Sequence, residues 1–341
     1  MRRRFFAPVL LACSLVVSGV LAAGLPAASA ATSTAAAAFD PAQPRLLWGA
    51  YARPRGSQNL QSALQGLESK AGRTVGASRV YKLWDGGVGS YEKWLVSTGR
   101  RPLISVKPQT GRGAAITWSS IANAPSGSAL RNQIIGWADK IKSLGGPVYF
   151  TFNHEPEAAA SNKYGTSPQF IAAWRTVVDV FRQRGVTNAK FLWIMTGWAY
   201  TVNSGDKRSA AKWYPGDSYV DAIGSDEYNE FTCRSDYKAS WRDLSTEIEP
   251  FRQFGLQHPN EELWLPEFGS FEDKSSPGRK AAWMNTVRST FKDPKYAQFR
   301  GIVYFDALRE GTPCVWWLDS SSSATSAWAA MGRDAFYTKR G

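Results

Sequence analysis

The stretch "YFTFNHEPEAAA", residues 149–160, decides how this chain is read. Four aromatic and β-branched residues, the kind that fit a pleated and buried surface, run directly into Asn153, His154, Glu155 and Glu157. A strand that ends in such a cluster is the usual build of a site carried on a parallel sheet.

Working outward, seven more runs have the same character: "LLWGAY" (46–51), "RVYKLW" (79–84), "PLISVKP" (102–108), "KFLWIMTGW" (190–198), "DAIGSDEYN" (221–229), "LWLPEFG" (263–269) and "GIVYFDA" (301–307). With "PVYFTFN" (147–153) they make eight candidate strands. Most are continuous apolar runs, as strands covered on both faces require. Helix-period segments lie between them. Leu60, Ala63, Leu64 and Leu67 share one helical face, as do Leu130, Ile134, Trp137 and Ile141. Ser167 reads as an N-cap before Pro168, and Phe170, Ile171, Trp174, Val177, Val178 and Phe181 line the helix that Gly185 stops. Residues 277–291 read as another helix; the helix between strands two and three is only weakly signalled. The alternation predicts an α/β chain folded as a single (β/α)8 TIM barrel. An open doubly wound sheet competes, but no GxGxxG follows the first strand.

The N-terminus stands outside this fold. Arg2, Arg3 and Arg4 precede an apolar run from Phe5 to Leu21, and "AASA" ends at Ala30. Residues 1–30 therefore read as a secretory signal peptide, with a membrane anchor as the alternative. Residues 31–40 read as a flexible leader and 41–341 as the barrel domain. The expected product is secreted and extracellular, a monomer with no stable membrane association. The formal charge of +13 falls to +10 when the three arginines leave. No long Lys/Arg run accompanies it, so nucleic acid is not an expected partner. Cys233 and Cys314 remain after cleavage and are expected to form a disulfide in an oxidising compartment; two separate buried thiols are the alternative. His154 and His258 are the only histidines, and neither CxxC nor HExxH spacing occurs, so no metal or other cofactor is expected.

In a barrel of this kind the working residues sit at the C-terminal strand ends. Strand four brings Glu155, and strand seven brings Glu267 on the far side of the mouth. Glu267 is a lone charge inside "LWLPEFG", which burial penalises unless the group is paired or used. Two carboxyls flanking a bond are what glycoside hydrolysis needs, one as proton donor and one as nucleophile. The other reading of Glu267 is a structural ion pair. Fifteen tryptophans suit a sugar-binding cleft, because sugar C–H faces stack on indoles. Trp84, Trp198, Trp316 and Trp317 fall at mouth positions, whereas Trp137, Trp174 and Trp283 read as packing. Glu157 reads as a salt-bridge partner in preference to a third cleft carboxylate.

At "NHEP" (153–156), "SDEYN" (225–229) and "LPEFG" (265–269) the sequence resembles glycoside hydrolase family 26, retaining glycosidases of clan A that are mostly β-mannanases. The resemblance implies Glu155 as general acid/base and Glu267 as nucleophile. It implies that His154 contacts the substrate or the nucleophile, and that Tyr228 hydrogen-bonds the nucleophile and the sugar ring. Asn153, Trp84, Trp198 and Trp316 complete the expected substrate-binding set. Two features depart from the mannanase pattern. "PEAAASNKYG" (156–165) lacks the aromatic a few residues after the acid/base, with Tyr164 a distant substitute, and Lys107 stands where a histidine is common. The expected activity is that of a secreted retaining endo-β-glycosidase acting on a polysaccharide, β-1,4-mannan first. The alternatives are β-1,3/1,4-glucan or xylan, or a non-catalytic carbohydrate-binding protein on the same barrel.

Overall fold

Eight apolar runs become eight parallel strands: β1 (Leu46–Ala52), β2 (Ala77–Leu83), β3 (Arg101–Lys107), β4 (Val148–Phe152), β5 (Ala189–Thr196), β6 (Ala222–Asn229), β7 (Glu262–Ser270) and β8 (Phe299–Asp306). The structure, a computed structural model, describes residues 46–158, 163–233 and 240–338. Each strand pairs with the next, and β1 pairs with both β8 and β2, which closes the barrel. A short ninth strand, Tyr337–Thr338, not expected from sequence, adds to the start of β1. The signal-peptide and leader assignments lie outside the described residues.

The helices α1 (Leu60–Ala71), α2 (Ser90–Ser97), α3 (Trp118–Ala122), α4 (Ala129–Lys142), α5 (Ser167–Gln183), α6 (Leu244–Glu247), α7 (Glu249–Gly255), α8 (Arg279–Thr290) and α9 (Ser322–Arg333) fall between and after the strands. The weakly signalled connection after strand two is α2, whose Leu95 and Glu92 are buried. The cap of α5 is Thr166 instead of Ser167, and the Gln169 side chain accepts from the Thr166 N–H at 2.9 Å. Phe170, Trp174, Val177, Val178 and Phe181 form the buried face of α5 as the spacing predicts.

Two layers inside the barrel set up the site. Leu47, Leu103, Tyr149, Leu192, Trp264 and Val303 pack as an apolar interior cluster. Strand alternation places the next inward residues above them, and these are polar: Arg79, Ser105, Thr151 and Asp226, all buried. Simple alternation would turn Glu267 outward with Leu263 and Leu265 of the outer core, yet its neighbour Phe268 lies in that outer core instead. The register shows why it points in. Trp264 pairs with Gly224 but Glu267 pairs with Asp226, so β7 carries one extra residue here, and its pairing to β8 shifts between Leu265 and Phe268. Pro266, which has no N–H to give a ladder, sits in this bulge.

Cys233 and Cys314 are joined by a disulfide with Cα atoms 4.9 Å apart, tying the segment after β6 to the segment after β8. The bond spans 81 residues of chain. Closing a loop of that size removes enough unfolded-state entropy to stabilise by about 4 kcal/mol. Replacing both cysteines by serine is expected to lower the thermal unfolding temperature, and reducing agent to lower it only in the wild type.

Candidate active site

The backbone bends sharply where β4 ends. Asn153 has φ +49° and Glu155 has φ +48°, a left-handed region that side chains other than glycine rarely occupy. Strain of this kind collects where a side chain must be aimed. Four hydrogen bonds hold the bend. The Asn153 N–H donates to the Val106 carbonyl at 2.9 Å, and the Glu155 N–H to the Ile194 carbonyl at 2.9 Å. The Trp118 indole donates to Asn153 Oδ1 at 3.2 Å, while Asn153 Nδ2 donates to the His154 carbonyl at 3.0 Å. Asn153 is thus buried and shapes the turn; it does not line the cleft.

Glu155 and Glu267 line one cleft of about 800 Å³ at the barrel mouth. Their surroundings differ. The Tyr81 hydroxyl donates to Glu267 Oε1 at 2.5 Å and the Tyr228 hydroxyl to Oε2 at 2.6 Å. The fully buried Arg79 lies 3.5 Å from Oε1 and is itself anchored by donating to Ser105 Oγ at 2.7 Å. Both oxygens of Glu267 are therefore fixed in direction. Burial, and next the charge of Glu267, push the Glu155 carboxyl up to about 8. Glu155 thus keeps its proton near neutral pH, while Glu267 accepts a phenol hydrogen bond at each oxygen.

His154 packs its ring 5.5 Å from that of Tyr81, and its Nδ1 has no hydrogen-bond partner among the described residues. Burial, then Arg79, lowers the imidazole to about 4, so the ring is neutral at ordinary pH. Asp226 presents two buried oxygens without a donor among the described residues. Burial, and then Glu267 and Glu155, hold its carboxyl well above the usual range. Asp226 lines the cleft, and its unsatisfied oxygens there call for partners from a ligand. Glu157 is not the expected salt-bridge member: it accepts from Thr196 N–H at 2.8 Å and Thr196 Oγ1 at 2.6 Å.

The tryptophans divide. Trp198 lines the cleft and is 40% exposed, with the Arg208 guanidinium 3.9 Å from its ring centroid. It stands beside Gly197, where a Cβ would lie 2.0 Å from the Glu227 carboxylate, so a side chain there would displace Glu227. Trp316 also lines the cleft, but it is buried and packs 4.3 Å from the Tyr228 ring, as a support for Tyr228. Trp84 is a correction to the sequence reading. It is buried against Phe152, its indole donates to Gln133 at 2.7 Å, and its carbonyl accepts from Trp137. The indole packs between β2 and α4 because its burial there outweighs display at the mouth. Tyr164 is also fully buried and donates to Gln109, so it does not supply the missing aromatic.

Arg79 and Tyr81 were missed in the sequence. The signal was there: an Arg and a Tyr two apart in "RVYKLW" share one strand face, and a charge in a buried run needs a use. Tyr81→Phe is expected to lower kcat roughly 10- to 100-fold with little change in folding, checked by kinetics and circular dichroism.

The sequence profile of glycosyl hydrolase family 26 matches residues 127–256, a span that holds Glu155 and Tyr228 but stops before Glu267. The chain is similar to Endoglucanase H of Acetivibrio thermocellus, 26% identical over 287 residues. That match covers 80% of this chain and 29% of the relative, so the chain spans less than a third of the protein it matches. Among solved structures it is similar to the endo-β-1,4-mannanase catalytic domain of Bacillus sp. JAMB-750 (TM-score 0.61, 13% identity, 86% of this chain and 87% of that one). It is likewise similar to a family 26 β-mannanase of Bacteroides ovatus (TM-score 0.58, 16% identity, 86% and 90%). At these identities the likeness is one of fold.

Proposed function

We propose that this chain, a glycoside hydrolase of family 26, is a secreted retaining endo-β-glycosidase that cleaves a β-linked polysaccharide, β-1,4-mannan first. The observation that carries the reading is the unlike pair of carboxyls in one cleft: Glu155 with its proton held, Glu267 with both oxygens aimed by phenols. In the first step Glu155 donates its proton to the glycosidic oxygen as Glu267 attacks the anomeric carbon. The C–O bond to the leaving sugar breaks and a glycosyl-enzyme ester forms. Esterification removes the charge of Glu267, which is a cause of the raised Glu155. Glu155 then takes a proton from water, and the water oxygen displaces Glu267 with net retention. Asp226 and His154 are suited to hydrogen-bond sugar hydroxyls, and Trp198 to carry a neighbouring ring.

Three observations favour a second polymer, β-glucan, on the same mechanism. The sequence relative is named an endoglucanase. Tyr164 is the one aromatic between Glu155 and α5, and it is buried. Lys107 ends β3. Hydrolysis of galactomannan, glucomannan, barley β-glucan, laminarin and xylan decides between them. Proton NMR of the first-formed reducing end tests the mechanism: a β-anomer supports retention and an initial α-anomer overturns it. Wild-type protein that binds one of these polymers and cleaves none would favour a carbohydrate-binding role. Among the described residues no helix is long and apolar enough to cross a membrane. Secretion is tested by N-terminal sequencing of the culture product, with Ala31 expected as the first residue, and the monomer by its sedimentation.

A further inference from the structure

Three side chains converge at the end of the barrel opposite to Glu155 and Glu267. Asp217 lies in the loop before β6, and His258 and Glu261 lie in the turn between α7 and β7. One donor atom of each is within 4.8 Å of the others. Glu261 is 6% exposed, yet its Oε2 has no hydrogen-bond donor and no Lys or Arg pairs with it among the described residues. His258 Nδ1 already meets Asp217 Oδ1 at 2.8 Å, so the buried Glu261 Oε2 is the uncompensated member of the set, and a divalent cation would compensate it.

We propose that Asp217, His258 and Glu261 form a structural binding site for a divalent transition-metal ion of the zinc type, with water as the remaining ligand. One imidazole nitrogen and two carboxylate oxygens suit such an ion. Tetrahedral zinc, with ligands at about 2.0–2.2 Å, spaces its donors by roughly 3.3 Å, so movement of about an ångström brings the three into place. Binding replaces the present 2.8 Å contact between His258 Nδ1 and Asp217 Oδ1.

The site is held from outside. Gln298 Nε2 donates to the carbonyls of Gly255, His258 and Glu261 at 3.0, 2.9 and 3.0 Å, which pins the turn that bears two of the ligands. The rings of Tyr214 and Phe254 lie 4.3 and 4.8 Å from the imidazole and fix its plane. Asp217 is 55% exposed in its side chain, which leaves the solvent side open for water. The ion would brace the approaches to β6 and β7 and act on stability instead of on the chemistry at the mouth. The positions 217, 258 and 261 match no short metal motif, so only the fold brings them together.

The test uses the full chain stripped with EDTA and dialysed, titrated calorimetrically with ZnCl2, with thermal unfolding followed with and without zinc. One equivalent is expected to bind and to raise the unfolding temperature. Glu261→Gln and His258→Ala are each expected to weaken binding by about tenfold or more and to abolish the thermal shift. Asp217→Asn, at the exposed ligand, serves if His258→Ala fails to fold. Glu267→Gln is expected to bind as the wild type does. Absence of both heat and thermal shift in the wild type overturns the proposal, as does unchanged binding in Glu261→Gln. Loss of binding in Glu267→Gln would move the ion to the catalytic cleft and overturn it equally.

Discussion

Glu267→Ala is expected to lower polysaccharide hydrolysis by roughly 10⁵-fold while the barrel stays folded. The loss is large because no other group in the cleft is aimed as Glu267 is. Tyr81 and Tyr228 each hold one of its oxygens, and Arg79 sits beside the first. Removing the carboxylate leaves those donors without their acceptor and the anomeric carbon without a nucleophile. Azide distinguishes this from a mere loss of packing. With an activated aryl β-glycoside, azide should restore turnover in Glu267→Ala and give the α-glycosyl azide, since it enters from the face that Glu267 has vacated. A variant that keeps more than about a tenth of wild-type activity would exclude Glu267 as nucleophile.

Glu155→Gln is expected to cost roughly 10³- to 10⁴-fold on polysaccharide and far less on aryl glycosides with good leaving groups. The difference follows from the role: a phenolate leaves without a proton, a sugar alkoxide does not. With Glu155→Ala, azide should give the β-glycosyl azide, the opposite product to that from Glu267→Ala. The pH profile carries the sign. The Glu155 carboxyl is raised to about 8, by burial first and the Glu267 charge second, so its protonated form is present below that value. Wild-type kcat/KM should therefore hold up to about pH 8 and fall about tenfold per unit beyond it. In Glu155→Gln that alkaline limb should disappear. A limb that persists in the variant would assign it to another group, among which Glu227, also pushed up to about 8, is the nearest in value.

How much of this was legible in the chain depends on the kind of signal. Continuous apolar runs marked all eight strands to within two residues at their ends, because a strand covered on both faces admits few other side chains. The α2 helix was faint because only eight residues form it and few of them are buried. Glu155 was legible as a polar residue just past a strand, and Glu267 as a charge with no reason to sit in an apolar run. Arg79 carried the same kind of signal and was passed over, because it stands at the start of its segment instead of the end. Trp84 was misplaced because a large aromatic after a strand fits equally well under a helix or over a cleft.

The sequence by itself therefore determined the barrel and its strand order and marked Glu155 and Glu267 as candidates, since hydrophobic period and polar interruption are properties of neighbours in the chain. Only the tertiary structure decided the rest. The extra residue in β7 turns Glu267 inward against the simple alternation of its strand. Arg79, Tyr81, Tyr228 and Glu267 meet from three different strands, and Asp217 meets Glu261 across 44 residues. Contacts of that kind depend on register and closure, which are set by how the strands pack in three dimensions and leave no periodic trace along the chain.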